Sequence, residues 1–386
     1  MPWPKLSPLI SSARYNPAPH VHLSQLRLRD FRNYGRLDVS FGPGFHLLLG
    51  DNAQGKTNIL EAIYLLATLR SFRGVGGAQM IRHGREGYFV GARVTGRGEH
   101  DIRMYWSMKD RRLSLDGAPV RRLNDYLGVL RVVVFCTEDL QLVKGTGRIR
   151  RRFMDLLLTQ TEPPYLGLLQ RYARVLRSRN ALLKQPNADP LALESFTGEL
   201  VKLGEALTRS RQQLIPRLSP LVRLAYRRIS NDAEELRLEY LPSVRGDFAV
   251  QLAQARGRER QYRATLIGPH RDELQFCLND QSAAQFGSEG QKRTLAVALK
   301  MAQAEYLTGL HGSPPVLLID DVMGELDARR RSGLLPLLER AHQASGQVFM
   351  TCTEENWPRE LGRRLHRWRV TEGRIGPMGP TSPVES

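Results

Sequence analysis

The chain has 386 residues, 41% of them hydrophobic, which is enough for two or three domains and for a core that needs no disulfide or metal staple. Lys plus Arg number 57 against 39 Asp plus Glu, a formal charge of +18 with pI near 10.3, so polyanions are the expected partners, nucleic acid first and an anionic membrane surface as the rival. Three scattered cysteines, Cys136, Cys277 and Cys352, exclude a zinc cluster and suggest a reducing compartment, and no apolar run is long enough to cross a bilayer, so a cytoplasmic protein without membrane spans is expected.

The first 20 residues, dense in proline and without a sustained apolar core, read as a flexible extension rather than a signal peptide. From about Val21 to Leu49 apolar and polar side chains alternate, with turns at Asn33 to Gly35 and Gly42 to Gly44, which predicts paired strands. The apolar strand Phe45 to Leu49 runs into Gly50-Asp51-Asn52-Ala53-Gln54-Gly55-Lys56-Thr57, and a helix is expected from near Asn58, with Ile59, Ile63, Leu66 and Ala67 at helical spacing. Glycine spacing followed by Lys-Thr at a strand-to-helix junction is the pattern of a phosphate loop. Its backbone amides would cradle the α- and β-phosphates, Lys56 would reach the β- and γ-phosphates, and the Thr57 hydroxyl would hold Mg²⁺.

Further strands are expected at Gly87 to Val94, Ile102 to Met108, a hairpin around Leu113 to Gly117, and Val132 to Phe135. From Gly147 to about Arg237 the period becomes helical, broken near Pro163-Pro164 and from Gln185 to Pro190. Strand patterns return at Leu236 to Leu241 and Phe248 to Gln251. Arg148, Arg150, Arg151 and Arg152 open the helical insertion in a stretch poor in acids, and Arg171, Arg174, Arg177 and Arg179 fall partly on one helical face. Either set could bind DNA phosphates without reading sequence, or form a solvated helix face.

Phe286-Gly287-Ser288-Glu289-Gly290-Gln291 precedes a helical run from Thr294 to Tyr306; Ser288 can cap that helix and Gly290 permits close approach of an anion. Pro315 to Asp321 is an apolar strand ending in two carboxylates, at the edge where a parallel sheet presents its chemistry. Asp320 would orient Mg²⁺ through water, and Asp321 would polarise the attacking water as general base. The last ten or so residues, rich in Gly, Pro and Ser, are expected to fray.

The order of phosphate loop, long insertion, Ser-x-Gly-Gln and Asp-Asp resembles the ABC-type ATPases. In those proteins the Ser-x-Gly-Gln loop of one protomer closes over ATP held by the other, and the loop matching Glu325-Leu326-Asp327 links the two sites. Over Val21 to Gly373 the chain resembles one family in particular, RecF, a DNA replication and repair ATPase related to the heads of SMC proteins. Asp30-Phe31-Arg32-Asn33-Tyr34, the phosphate loop continuing into Asn58-Ile59-Leu60-Glu61-Ala62-Ile63, Ser71-Phe72-Arg73, Gly268-Pro269-His270-Arg271-Asp272 and Leu318-Ile319-Asp320-Asp321 carry that likeness.

The resemblance implies an α/β fold: an ABC/SMC-type ATPase head, a P-loop NTPase sheet with flanking helices and an antiparallel N-terminal β part, with a mainly helical inserted lid domain. Its boundaries would be a 1–20 extension, head halves at 21–146 and 238–375, a lid at 147–237 and a 376–386 tail. It further implies ATP and Mg²⁺ as cofactors, with Ser288, Gly290, Gln291 and Asp327 at the nucleotide, ATP-driven homodimerisation, and binding to single-stranded DNA and to linear duplex DNA near ends or gap junctions. RecR and RecO would be partners, RecA an indirect one, in recombination repair and the SOS response. Transport ATPases usually have Gly where Glu289 stands and Glu where the shorter Asp321 stands, and Thr353 occupies the place of their switch histidine, so slow hydrolysis is expected. Glu138 falls where a loop contacting Mg²⁺ would lie, although the usual glutamine is missing. His270 and Arg271 would meet the nucleotide or partner head, or serve as packed turn residues. Competing readings are the ATPase subunit of a membrane transporter, which the basic insertion fits poorly, and a DNA scaffold that uses ATP only as a switch.

Overall fold

The structure is a computed structural model that describes residues 21–96, 98–187, 189–230, 234–325, 327–343, 346–353 and 365–378. The expected flexible extension lies outside the described residues, as does the tail beyond Met378 and, in the loop after the acidic pair, Leu326. The chain divides into two compact units, one formed by residues up to Thr137 together with those from Gln303 onward, the other by Glu138–Ala302.

The first unit contains two six-stranded sheets. In one, the strands lie in the order Arg374–Pro377, Leu365–Thr371, Gly44–Leu49, Gln347–Cys352, Val316–Asp320 and Val132–Phe135, and every neighbouring pair is parallel except the first. The edge strand Val132 to Phe135 and its neighbour from Val316 to Ile319 are continuous buried apolar runs, as befits a parallel sheet covered on both faces. Gly44–Leu49 therefore joins this sheet rather than pairing with the two strands before it. Its register aligns Leu49 with Cys352 and Asp320 with Thr351, so neighbouring strands end together at one edge. The helix Lys56–Thr68 starts from that edge and is buried on nearly all sides.

The second sheet is antiparallel, in the order Tyr34–Ser40, His22–Phe31, Gly87–Thr95, Glu99–Ser107, Arg111–Leu115 and Ala118–Pro119. Buried Leu26, Leu28, Val90, Ala92, Ile102 and Met104 recur at every second position of its strands, the pattern of a sheet with one covered face. The expected hairpin turn is made by Asp116 and Gly117, both at positive φ (53° and 82°), as a two-residue turn between twisted strands requires. Fully buried Gln347 ties the two sheets: its carbonyl accepts from Leu23 N at 2.8 Å and its amide donates to Leu23 O and Gly42 O at 2.9 and 2.8 Å.

In the second unit the helices Gly147–Thr161, Tyr165–Leu183 and Pro190–Ile229 are separated where the prolines and the Gln185 to Pro190 cluster predict. Leu193, Thr197, Leu200, Leu203, Leu207, Arg211 and Leu214 form the buried stripe of the longest helix. A three-stranded antiparallel sheet orders Gln281–Ser282, Glu273–Leu278 and Leu236–Leu241. Because Leu236–Leu241 packs on the long helix and pairs with Glu273–Leu278, this compact unit extends well past the 147–237 segment. The strand expected at Phe248 to Gln251 is instead the first turn of a helix, Phe248–Tyr262. Asp247 supplies the cap, accepting from Val250 N at 2.9 Å, and four alternating residues are too few to tell a strand from a helix start.

Two buried arginines bind this unit from within. Arg179 donates to Thr197, Thr265 and fully buried Glu259 at 3.0, 2.7 and 2.6 Å. Arg211 donates to both oxygens of Asp155, to Asp272 Oδ2 at 3.0 Å and to Pro269 O at 2.7 Å, and so fixes the Gly268 to Asp272 turn. The three cysteines are buried and unbridged, and among the described residues no helix is long and apolar enough to cross a membrane.

Candidate nucleotide site

The loop from Gly50 to Thr57 leaves the end of a central parallel strand and closes on the helix Lys56–Thr68. Ala53 and Gly55 hold positive φ, 63° and 116°, and a Cβ on Gly55 would come within 2.7 Å of the Asn33 amide and 2.8 Å of the Tyr34 hydroxyl. Glycine is therefore required there both by conformation and by the closeness of the hairpin. That hairpin braces the loop: Asn33 Nδ2 donates to Gln54 O at 2.9 Å, Tyr34 Oη donates to Gly55 O at 3.1 Å, and Asn58 Nδ2 donates to Asn33 Oδ1 at 2.8 Å. Beside the hairpin, Glu372 N and Gly373 N donate to the side chain and carbonyl of Gln54, at 2.7 and 3.1 Å.

Lys56 is nearly buried, and its ammonium donates to Gly50 O and Asp51 O at 2.6 and 2.8 Å, so it arches back over the loop. Burial lowers its pKa, opposed by the charges of Asp321, Asp320 and Asp51. The acidic pair reaches the loop through hydroxyls. Asp320 Oδ1 accepts from Thr57 Oγ1 at 2.8 Å and from Thr351 Oγ1 at 2.9 Å, while the Asp321 amide donates to Thr351 Oγ1 at 3.0 Å. Asp321 stands one residue past the strand, exposed and at φ 54°. A Thr hydroxyl beside a carboxylate is a hard-oxygen set suited to Mg²⁺. Among the described residues no group of three or more His, Cys, Asp or Glu gathers into an all-protein metal cage.

Lys56, Thr57, Asp321 and Thr351 line an open cavity of about 1200 Å³ within the first unit, which also takes in Asn52, Asn58, Arg73 and a basic wall of Arg32, Arg82, His83 and Arg85. Glu61, fully buried, organises that wall. It accepts from Arg32 Nε and Nη2 at 2.8 and 2.7 Å and from Ser71 Oγ at 2.5 Å, and Ser71 in turn accepts from Arg73 N at 3.1 Å.

Several expected residues do not line this cavity. Thr351, buried at the sheet edge, enters the carboxylate network; Thr353 is exposed just beyond the strand and does not line the cavity. The distinction lies in the register, since Thr351 pairs opposite Asp320 and so places its hydroxyl beside the carboxylate. Asp327 caps the helix Ala328–Gln343, accepting from Arg330 N at 2.9 Å and pairing with the Arg330 side chain. Ser288, Gly290, Gln291 and Glu138 belong to the second unit. There Ser288 and Gln291 form a reciprocal cap, with Ser288 N donating to Gln291 Oε1 at 2.6 Å and Gln291 N to Ser288 Oγ at 3.2 Å. Glu138 is exposed on the short turn Thr137–Leu140.

The arginine cluster proves heterogeneous. Arg150 donates to both oxygens of Glu273 at 2.6 and 2.8 Å and to Gly145 O at 2.7 Å, and Arg151 donates to Asp272 O at 2.6 Å. Both are held by partners within the protein, whereas Arg148 and Arg152 are exposed. His270 is a packed turn residue, with its ring nitrogens engaged by the Tyr172 hydroxyl at 2.7 Å and Thr265 O at 3.1 Å, and Arg271 is exposed.

A family model described as the RecF/RecN/SMC N terminal domain matches residues 22–373. Over 383 residues the chain is 42% identical to the DNA replication and repair protein RecF of Thermosynechococcus vestitus, covering 95% of this chain and all 100% of that one. To the protein of the same name from Symbiobacterium thermophilum it is 39% identical over 370 residues, 91% of this chain and 97% of that one. Among solved structures, the recombination mediator protein RecF of the RecFOR pathway, in its ATP form, matches with a TM-score of 0.85 at 27% identity, covering 95% of this chain and 100% of that one. The Smc head domain of Pyrococcus furiosus, 15% identical with a TM-score of 0.54 over 93% and 96% of the two chains, shares the fold.

Proposed function

We propose, since the chain belongs to the RecF family of DNA replication and repair proteins, that it binds ATP in this cavity, pairs with a second copy when ATP is bound, and hydrolyses ATP slowly to time its residence on DNA. The observation that carries the reading is Asp320 Oδ1, shared by Thr57 and Thr351, which joins the phosphate loop to the acidic strand end from opposite ends of the sequence. Thr57 and Asp320 are the residues that would hold Mg²⁺, which when bound would neutralise charge on the β- and γ-phosphates. Lys56 would add its positive charge to the same phosphates. Asp321, exposed and held by its amide to Thr351, would accept a proton from the attacking water.

Dimerisation would bring Ser288, Gly290 and Gln291 of a second copy to the triphosphate, with Asp327 on the linking loop; the family supports this reading, and the helix cap leaves the Ser288 region exposed. The 147–237 segment would act as the lid. DNA, single-stranded or linear duplex near ends and gap junctions, is the polyanion that the +18 charge favours. RecR and RecO would be its protein partners and RecA an indirect one, in the cytoplasm, during recombination repair and the SOS response.

Sedimentation with and without ATP and gapped DNA tests the core of this reading. Wild type should become dimeric with ATP. Lys56→Ala should lose nucleotide binding, while Ser288→Arg should bind ATP and stay monomeric; a wild-type protein that remains monomeric when saturated with ATP would refute the proposal.

A further inference from the structure

The antiparallel sheet of the first unit covers its core with one face and turns the other outward. Because side chains alternate along each strand and pair directly across them, the register determines which residues stand side by side on that outer face. One row is continuous across five strands: Arg36 opposes Arg29, Arg29 opposes Phe89, Phe89 opposes Tyr105, and Tyr105 opposes Arg112. Two arginines stand at one end, one at the other, and two aromatic rings lie between. At about 4.8 Å per strand the row spans roughly 19 Å.

Three features of this row point to a ligand. Arg29 and Arg36 are exposed and face each other directly, and among the described residues neither has a carboxylate within ion-pair distance. Like charges placed opposite each other cost stability, and an anion between them removes that cost. Tyr105 is 38% exposed and Phe89 half-buried, and the Arg112 guanidinium, which pairs with Asp110, lies 6.0 Å from the Tyr105 ring centre. Finally, Gly91 makes room for the other ring, since a Cβ there would meet Phe89 Cζ at 2.8 Å. The absent side chain lets Phe89 lie over the backbone. In the next row Arg27 and Arg103 share Asp101 and Arg27 stands opposite exposed Asp38, so that row is balanced in charge and Arg29 and Arg36 carry the cationic excess.

Cations flanking exposed rings are the chemistry of single-stranded nucleic acid, whose phosphates follow the charge and whose unpaired bases stack on aromatic faces; a duplex hides its bases and offers only phosphates. Resting on the DNA-binding reading above, we infer that the row Arg36, Arg29, Phe89, Tyr105, Arg112 is a stacking platform for a single strand of DNA, separate from the nucleotide cavity. Charge complementarity and ring exposure select this occupant over a protein partner.

Fluorescence anisotropy of the full chain with a labelled oligothymidylate and with a blunt duplex, at low and moderate salt, tests the inference, with ATP binding measured in parallel. Arg29→Glu with Arg36→Glu should weaken single-strand binding at least about tenfold and make the log–log salt slope shallower by about 1.4, since each phosphate that an arginine neutralises on a single strand adds about 0.7 to that slope. Tyr105→Ala should weaken single-strand binding by about fivefold or more while leaving duplex binding within about twofold, and Tyr105→Phe should restore it. ATP binding should be unchanged in every variant. Wild-type binding to DNA with no effect of either substitution would overturn the platform alone. Equal loss of single-strand and duplex binding in Tyr105→Ala would overturn the stacking. Failure of the wild type to bind any DNA would overturn the functional reading and the platform with it.

Discussion

Glu61 and Arg32 form a two-pronged ion pair, Arg32 Nε and Nη2 donating to the two carboxylate oxygens at 2.8 and 2.7 Å, with Glu61 fully buried in the phosphate-loop helix. The same carboxylate holds Ser71, and Ser71 holds the backbone of Arg73 at the cavity wall. One buried charge thus links the hairpin turn, the helix and the loop that carries Arg73. Removing one member of a buried pair leaves the other desolvated and unpaired, so Glu61→Ala should lower stability by about 3 to 5 kcal/mol. Urea denaturation monitored by circular dichroism measures this. A loss below about 1 kcal/mol, the range of exposed pairs, would show that the pair is not a structural anchor.

Thr351 touches both residues of the acidic pair, donating to the Asp320 carboxylate and accepting from the Asp321 backbone amide. Thr351→Val keeps the shape and the buried methyl while removing both hydrogen bonds. ATP turnover should fall by roughly tenfold, equivalent to about 1.4 kcal/mol of barrier, and nucleotide affinity should change much less. Thr353→Val, outside the network, should have the smaller effect in steady-state assays. The reverse ranking would return the sensor role to Thr353.

His46 is buried between Phe349 and His366, with Nε2 against Gly42 O at 2.8 Å and Nδ1 accepting from Trp368 Nε1 at 3.1 Å. Burial lowers its pKa to about 4, and burial does the same for His270 in the second unit. The unfolded chain takes up these protons below about pH 6.5 while the folded chain resists them until about pH 4. Stability should therefore be level above pH 7 and decline as pH falls from 6.5 to 4, by on the order of 2 to 3 kcal/mol per histidine. His46→Gln should flatten part of that decline in thermal melts across the range. A melting temperature that rises as the pH is lowered would contradict the sign.

What the sequence reveals and what it hides follow from distance along the chain. Gly50 to Thr57 is local: its glycines, its lysine and the strand and helix on either side are all set within a dozen residues, so loop and role are readable together. Arg150 and Arg151 resemble a DNA patch in sequence because their partners, Glu273 and Asp272, lie more than a hundred residues away, and the one acid on their own helix, Asp155, is taken by Arg211. Thr351 and Thr353 share a face by period, and only the strand's end and its alignment with Asp320 tell them apart. The row from Arg36 to Arg112 is hidden for the same reason, since five strands each supply one residue and register alone assembles them.

Asp321 offers the sharpest separation of binding from hydrolysis. Its amide, not its carboxylate, makes the hydrogen bond to Thr351, so Asp321→Asn retains the backbone anchor and the φ of 54°, a conformation Asn accepts readily. Only the proton acceptor is lost. An aspartate there reaches less far than a glutamate would, so wild-type turnover should already lie below about 10 s⁻¹, a typical enzyme value. The variant should lose a further factor of about 10² or more, the usual contribution of a positioned base. ATP affinity should be intact, because Lys56 and the loop amides are untouched. If hydrolysis separates the subunits, Asp321→Asn should accumulate as an ATP-bound dimer that leaves DNA more slowly than wild type, which size-exclusion chromatography and dissociation kinetics on gapped DNA would both register. Unchanged DNA residence despite lost hydrolysis would mean that ATP binding alone sets the switch, the scaffold behaviour in which turnover has no part.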